Sequence, residues 1–254
     1  IMKLKIIIAV STIAWAGMSV ASAQKVTMYS TTSTHRWTEK KYSLDKSSIA
    51  QVDVCVYPDS LLQDVVGFGG TFNELGWDAL QHLPQAERDK VMASLFSKEG
   101  VCFALGRTPI AASDYAMGYY SYNDVKDDYT MRNFCIDRDR YILIPYIKAA
   151  LKLRPDLRMW ASPWTPPAWM KVNEHYSQKS AGIEKTDIGH NRLDPNRNVL
   201  GNVTGFKMQQ GYLQAYAIYF SKYVQAYKQN GINIQTVMPQ NEIAWTCLLY
   251  TSPS

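Results

Sequence analysis

The chain has 254 residues, of which 46% are hydrophobic and 19% are charged, and this composition excludes a low-complexity or largely disordered protein. The formal net charge is +5, but lysine and arginine are spread along the chain, so a nucleic-acid-binding role has little support. The 4 cysteines form no CxxC pair and the 4 histidines no HExxH spacing, so the sequence implies neither a metal nor a cofactor.

The N-terminus has the features of a cleavable export signal. Lys3 and Lys5 precede an apolar run over 6–16, and Ala21-Ser22-Ala23 offers the small residues of a cleavage site. We therefore predict a signal peptide over 1–23 and a secreted or periplasmic protein. The apolar run is too short to predict a membrane span.

Residues 24–62 form a region of short β-like runs. Val26–Tyr29 and Val52–Tyr57 are rich in β-branched and aromatic residues, and turn-forming residues separate them. We predict that these runs are N-terminal strands of a side domain ahead of the main domain.

From residue 63 onward, strand patterns alternate with helix patterns. Strands are predicted at 65–70, 101–110, 157–161 and 232–238, and helices at 78–97, 137–153 and 209–229. Pro84 marks a break or a helix start, Gly231 a helix C-cap, and Cys102 a small core residue within a strand. The long loop over 162–203 is rich in Pro, Asn and Gly.

This alternation predicts an α/β fold with parallel strands. A closed (β/α)8 TIM barrel needs about 250 residues. The sequence therefore predicts only about the first four βα units, the first half of a barrel, over 63–246.

A carboxylate stands at the carboxyl end of the last predicted strand. Asn241 and Glu242 close the stretch Pro239-Gln240-Asn241-Glu242, where a Glu at a barrel mouth could act as acid/base and the Asn could bond a sugar hydroxyl. The alternative is a plain polar loop.

Further candidates follow the middle strands. Arg107 and Asp114 stand at and just past the end of one strand, where an Arg could orient carboxylates and an Asp could accept sugar hydroxyls. The alternative for Arg107 is a structural ion pair. Trp164 and Trp169 lie in a proline-stiffened loop, and we expect a sugar contact for Trp164 and packing for Trp169. The high tyrosine content fits either sugar binding or a tyrosine-rich core.

Taken together, the motifs resemble those of the glucosylceramidase-like glycoside hydrolases, family 30. The segments that carry the resemblance occur in family order: Gly67-Phe68-Gly69-Gly70-Thr71-Phe72-Asn73-Glu74, Leu105-Gly106-Arg107-Thr108-Pro109-Ile110, Ala112-Ser113-Asp114-Tyr115, Ser162-Pro163-Trp164 through Trp169-Met170-Lys171, and Pro239-Gln240-Asn241-Glu242.

The resemblance implies a (β/α)8 barrel with a β-sandwich and retaining hydrolysis of β-linked sugars. The implied substrates are β-glucosides, such as a β-1,6-glucan, a glucosyl oligosaccharide or glucosylceramide; xylan is a weaker possibility. Glu242 falls on the acid/base and Asn241 on a sugar-binding Asn. Arg107 matches an Arg that supports the carboxylates, while Asp114 and Trp164 match groups that contact sugar hydroxyls. The implied partner is a carbohydrate or glycolipid.

The chain departs from the family pattern at its end. No position corresponds to the family's nucleophile Glu, Ile243 stands where relatives commonly have Pro, and 247–254 has the character of a non-native tail. We therefore expect a truncated glycosidase that is inactive as written. The alternatives are a non-catalytic carbohydrate-binding protein and a gene fragment without function.

Overall fold

The computed structural model describes residues 25–43, 57, 59–180, 191–199 and 205–242. The chain divides into two compact units, Ile1–Gln63 and Asp64–Ser254. The predicted signal peptide, the strand at 52–57 apart from Tyr57, and the predicted tail at 247–254 lie outside the described residues.

The first unit contains a β-hairpin. Strand β1, Lys25–Ser30, pairs antiparallel with β2, Thr38–Ser43, and Tyr29 stacks on Trp37 with ring centroids 5.4 Å apart. The strand predicted at 26–29 is confirmed. The assignment of this hairpin to a side domain stays a prediction.

The second unit is built on a parallel sheet of four strands. The strands β3, Gly69–Thr71, β4, Leu105–Ile110, β5, Arg158–Pro163, and β6, Ile234–Val237, lie side by side in chain order. Each pair of neighbours is parallel. This order confirms the predicted α/β fold with four successive βα units of a barrel.

Helices connect the strands. They are α1, Glu74–Gln81, α2, Gln85–Phe96, α3, Asp137–Tyr141, α4, Leu143–Leu153, and α5, Gln210–Gln229, with short 3-10 helices at Ala168–Met170 and Pro195–Arg197. Pro84 is the N-cap of α2, as its fixed φ allows, and Gly231 follows α5 with a φ of 78°, so both predicted boundaries are confirmed. No helix in the described part of the chain is long and apolar enough to cross a membrane.

The first strand and the first helix lie elsewhere than the sequence predicted. Strand β3 begins at Gly69 rather than at Val65, which is 73% exposed. A Cβ on Gly69 would lie 1.9 Å from the carbonyl oxygen of Leu105, so the glycine lets the two strands approach. Helix α1 begins at Glu74 because the side chain of Asn73 caps it by accepting a hydrogen bond from Gly76.

Two further predictions about boundaries were wrong. Strand β4 begins at Leu105, so Cys102 is not in a strand; it is half-buried with a φ of 58°, and its carbonyl oxygen accepts a hydrogen bond from Arg154. The helix predicted over 137–153 is broken at Ile142, whose ψ of −71° and φ of −123° separate α3 from α4.

The hydrophobic core lies where the helices pack on the sheet. Helix α5 buries Tyr216, Tyr219, Tyr223 and Tyr227, which recur at helical spacing and so share one face. Their rings contact one another and Tyr122, with centroids 4.4–5.9 Å apart. In this helix the high tyrosine content is therefore a property of the core.

Candidate active site

Arg107 lies at the centre of the candidate site. It is the third residue of β4 and pairs in register with Trp160 of β5, so the two side chains share one face of the sheet. Its Nε and Nη2 donate to Ser162 Oγ at 3.1 and 2.7 Å, and Nη2 also donates to Asn241 Oδ1 at 2.5 Å. One guanidinium thus joins β4, β5 and the loop after β6. It does so from inside the strand rather than from the strand end that the sequence suggested.

Two indole rings contact the same guanidinium. The Arg107 Cζ lies 4.9 Å from the ring centroid of Trp160 and 4.4 Å from that of Trp164. Cation–π contacts of this kind contribute about 0.5–2 kcal/mol each, the more the better they are shielded from water. Arg107 therefore orients Trp164 as well as Asn241.

Trp164 connects the loops that follow β4 and β5. It stands directly after β5, and its Nε1 donates to Asp114 Oδ2 at 3.1 Å, whereas Asp114 lies four residues past the end of β4. Trp164 is buried and Asp114 is exposed. The exposed carboxylate is therefore held in place by a buried indole at the carboxyl end of the sheet.

The loop after β6 is tied to the end of β5 by its backbone and one amide side chain. Met238 N donates to Ala161 O at 2.8 Å, Asn241 N donates to Pro163 O at 2.9 Å, and Gln240 Nε2 donates to the carbonyl oxygen of Trp164 at 2.9 Å. Three hydrogen bonds thus continue the strand pairing and place residues 240–242 at the same edge as Trp164.

Glu242 is exposed and has a φ of 51°. A non-glycine residue rarely adopts this left-handed conformation, and such strained residues cluster at functional sites. The structure therefore brings four of the five predicted site residues into one connected group, Arg107, Asp114, Trp164 and Asn241, and Glu242 follows that group directly in the chain.

Two buried residues support the loop after β5. Lys171 Nζ donates to Thr165 Oγ1 at 3.2 Å and to the carbonyl oxygen of Tyr176 at 2.5 Å, and burial lowers the pKa of Lys171 to about 7. Trp169 is buried and donates from Nε1 to the carbonyl oxygen of Asn123 at 3.0 Å, as expected for a packing role.

Glu74 supports the loop that carries Asp114, although it was not among the predicted site residues. It is buried and forms a two-bond ion pair with Arg138, at 2.7 and 2.8 Å, while its Oε2 accepts a hydrogen bond from Met117 N at 2.6 Å. One feature of the sequence could have indicated this role: Glu74 directly follows Asn73, a residue type that commonly caps helices. Ser162 was also missed as a partner of Arg107, although it lies in a quoted motif.

Within the ranges described above, no group of three or more His, Cys, Asp or Glu side chains could hold a metal ion.

Four parallel strands joined by helices, with the candidate site residues at the carboxyl ends of the strands, are the arrangement of an α/β barrel. Residues 65–194, about half of the chain, match the family described as the Glycosyl hydrolase family 30 TIM-barrel domain. The chain therefore belongs to glycosyl hydrolase family 30, and the resemblance read from the motifs is confirmed.

Several family members are similar to this chain. A Caenorhabditis elegans protein with a provisional glucosylceramidase name is 31% identical over 202 residues, which cover 79% of this chain and 34% of that protein. The crystal structure of SrfJ from Salmonella typhimurium has a TM-score of 0.66 and 25% identity, and the match covers 90% of this chain and 46% of that one.

The endo-beta1,6-glucanase BT3312 has a TM-score of 0.56 and 32% identity, and the match covers 73% of this chain and 37% of that enzyme. The chain spans about a third of the length of the curated relatives that it matches. The predicted partial TIM barrel agrees with both the family and these structures.

Proposed function

We propose that this chain is part of an exported hydrolase of β-glucosides that works with retention of configuration. Family membership and the glucosylceramidase and glucanase names of its relatives support a β-glucoside as substrate. The single observation that carries the proposal is the 2.5 Å hydrogen bond from Arg107 Nη2 to Asn241 Oδ1, because it fixes the Asn-Glu pair against β4 and β5.

Glu242 is the proposed acid/base. In its protonated form it would give a proton to the glycosidic oxygen as the bond to the anomeric carbon breaks, and it would then take a proton from the attacking water. Asn241 would bind a sugar hydroxyl next to the reacting carbon. Asp114, with Trp164 behind it, would accept hydrogen bonds from hydroxyls on the far side of the ring.

A retaining site needs a second carboxyl group about 5–5.5 Å from the first, to attack the anomeric carbon. Asp114 is committed to the Trp164 indole by a 3.1 Å hydrogen bond, which suits substrate binding rather than attack. We assign the nucleophile to the part of the relatives' length that this chain does not span. The 254-residue chain should therefore bind β-glucosides without turning them over.

The binding test is a titration of the purified chain with methyl β-D-glucoside, followed by tryptophan fluorescence and by calorimetry. Asp114→Asn replaces a charged acceptor by a neutral one and should weaken binding by about 10-fold, since a hydrogen bond to a charged group is worth about 1.5–3 kcal/mol and a neutral one about 0.5–1.5 kcal/mol. Asp156→Asn is the matched control, because Asp156 is an exposed carboxylate paired with Arg154. Equal affinities for the two variants would refute the assigned role of Asp114.

A second measurement separates a catalytic site from a plain sugar-binding site. A cationic iminosugar resembles the charge that develops in glycoside cleavage, so a site that places the carboxyl group of Glu242 beside the anomeric carbon should bind it more tightly than the neutral glucoside. Glu242→Gln should remove that preference and leave the affinity for the glucoside nearly unchanged. A preference that survives in Glu242→Gln would favour the non-catalytic alternative.

The turnover assay uses an aryl β-glucoside and the unmodified chain. We expect no release of the aryl group above the buffer rate. Release that disappears in Glu242→Gln would overturn the assignment of the nucleophile to a residue outside these 254 positions. The proposed export is tested separately by N-terminal sequencing of protein recovered outside the cytoplasm, which should begin at Gln24.

A further inference from the structure

A stacked pair of tyrosines lies on the loops that follow β4 and β5. The rings of Tyr119 and Tyr176 have centroids 5.7 Å apart and planes inclined by 22°, and His175 meets Tyr119 edge-on at 6.4 Å. Tyr119 remains 41% exposed although it is stacked. An aromatic ring that is stacked on a neighbour and still open to solvent offers an apolar face on which a ligand can stack.

The pair is connected to the candidate active site through both loops. Tyr119 stands on the loop that carries Asp114, five positions further on. The carbonyl oxygen of Tyr176 accepts hydrogen bonds from Lys171 Nζ at 2.5 Å and from Thr165 Oγ1 at 3.0 Å, and Thr165 is the residue next to Trp164. The tyrosine pair therefore lies on the same two loops as Asp114 and Trp164.

Both rings are held in place before any ligand arrives. The loop of Tyr119 is fixed where Glu74 Oε2 accepts a hydrogen bond from Met117 N at 2.6 Å. The hydroxyl of Tyr176 donates to Asp124 Oδ1 at 2.6 Å, which sets the position of its ring. A ligand that stacks on this pair would therefore bind with little loss of conformational entropy in the two side chains.

A polar group flanks the platform. His175 Nδ1 accepts a hydrogen bond from Ser177 N at 3.0 Å, so in the neutral imidazole the proton is on Nε2. Burial and the neighbouring Lys171 lower the pKa of His175, so the neutral form is favoured. An N–H donor beside an aromatic face matches the two sides of a pyranose, which has apolar C–H faces and a rim of hydroxyls.

We propose that Tyr119 and Tyr176 form a second sugar subsite, which takes a further pyranose unit of a β-glucan chain next to the unit held by Asp114 and Trp164. This inference rests on the proposed function and narrows its substrate to an oligosaccharide or polysaccharide. A ligand with a single glucosyl group would leave the platform empty.

The test compares two ligands on the purified 254-residue chain by calorimetry, methyl β-D-glucoside and a short β-1,6-linked glucan oligosaccharide. One aromatic contact of about 0.5–1.5 kcal/mol corresponds to about 2- to 10-fold in affinity. The oligosaccharide should therefore bind about 2- to 10-fold more tightly than the monosaccharide glycoside. Tyr119→Ala should abolish this gain, and Tyr119→Trp should keep it.

Tyr141→Ala is the matched control, because Tyr141 is an 81% exposed tyrosine on α3, and it should keep the gain. Equal binding of the two ligands by the unmodified chain, or an unchanged gain in Tyr119→Ala, would overturn the subsite and leave the proposed function standing. Failure of the chain to bind either ligand would overturn both. A thermal melt of each variant shows whether a lost gain comes from misfolding.

Discussion

The carboxyl group of Asp139 is buried among three tyrosine hydroxyls, and we expect it to make the unfolding free energy depend on pH. The Tyr120 hydroxyl donates to Oδ1 at 3.0 Å, and those of Tyr122 and Tyr227 donate to Oδ2 at 2.5 and 2.6 Å. Burial raises the pKa of Asp139 from 3.8 to about 6, although the three hydrogen bonds act in the opposite direction. Replacement by Asn removes the titration while keeping the size of the side chain.

The magnitude follows from the two pKa values. Folding favours the protonated Asp139, so its contribution is fully present below the unfolded pKa of 3.8 and is lost as the pH rises through about 6. The difference between the two values corresponds to about 3 kcal/mol of unfolding free energy. Relative to Asp139→Asn, the wild-type chain should therefore lose about 3 kcal/mol of stability between pH 4 and pH 7.

The assay is urea unfolding followed by tryptophan fluorescence at several pH values, for the wild type and for Asp139→Asn. Groups that titrate in both proteins cancel in the difference. Asp137→Asn is the control on the same helix, because Asp137 is an exposed partner of Arg140 and such surface pairs are worth at most about 1 kcal/mol. A constant difference between wild type and Asp139→Asn across this pH range would refute the reasoning.

Three further predictions concern stability in urea. Gly69→Ala should lower the unfolding free energy by about 2–3 kcal/mol, because the added Cβ would lie 1.9 Å from a carbonyl oxygen of β4. In Gly70→Ala the nearest atom would be 3.8 Å away, so the loss should stay under about 1 kcal/mol. Equal losses in the two variants would contradict this. Burial lowers the pKa of Lys171 from 10.5 to about 7, so the wild type should lose about 3–4 kcal/mol of unfolding free energy relative to Lys171→Met as the pH falls from 10 to 7; parallel curves would disprove it. Glu74→Gln should lower the unfolding free energy by about 2 kcal/mol, because it breaks the ion pair between a buried carboxylate and Arg138, whose side chain is 35% exposed; a loss below about 1 kcal/mol would contradict this.

Proline and glycine residues made helix boundaries predictable from the sequence. Pro84 restricts its own φ and Gly231 tolerates a left-handed φ, so each marks a boundary whatever surrounds it. The start of β3 was mispredicted because apolar residues predict burial only where a neighbouring strand exists. Val65 has no pairing position on β4, whose register with β3 begins at Gly69 and Leu105.

The chemistry at the strand ends was predictable for a similar reason. In a parallel sheet the carboxyl ends of all strands meet at one edge, so residues that follow successive strands are brought together even when they are far apart in the chain. Pairs away from that edge were not predictable. Asp139 and Tyr227 are 88 positions apart, and neither residue follows the end of a strand.

For Arg107, the sequence motif and the contacts in the structure give complementary information. Its motif marked it as a candidate, but only the structure shows one side chain bonded to Ser162, 55 positions away, and to Asn241, 134 positions away. A planar guanidinium can serve both oxygens and still contact two indole rings, whereas a lysine ammonium could not do so in one position. The constraint that places Asn241, and with it the proposed acid/base Glu242, is therefore contained within the four strands of this chain. The residues that we propose to bind the sugar are therefore held in place by contacts within this chain.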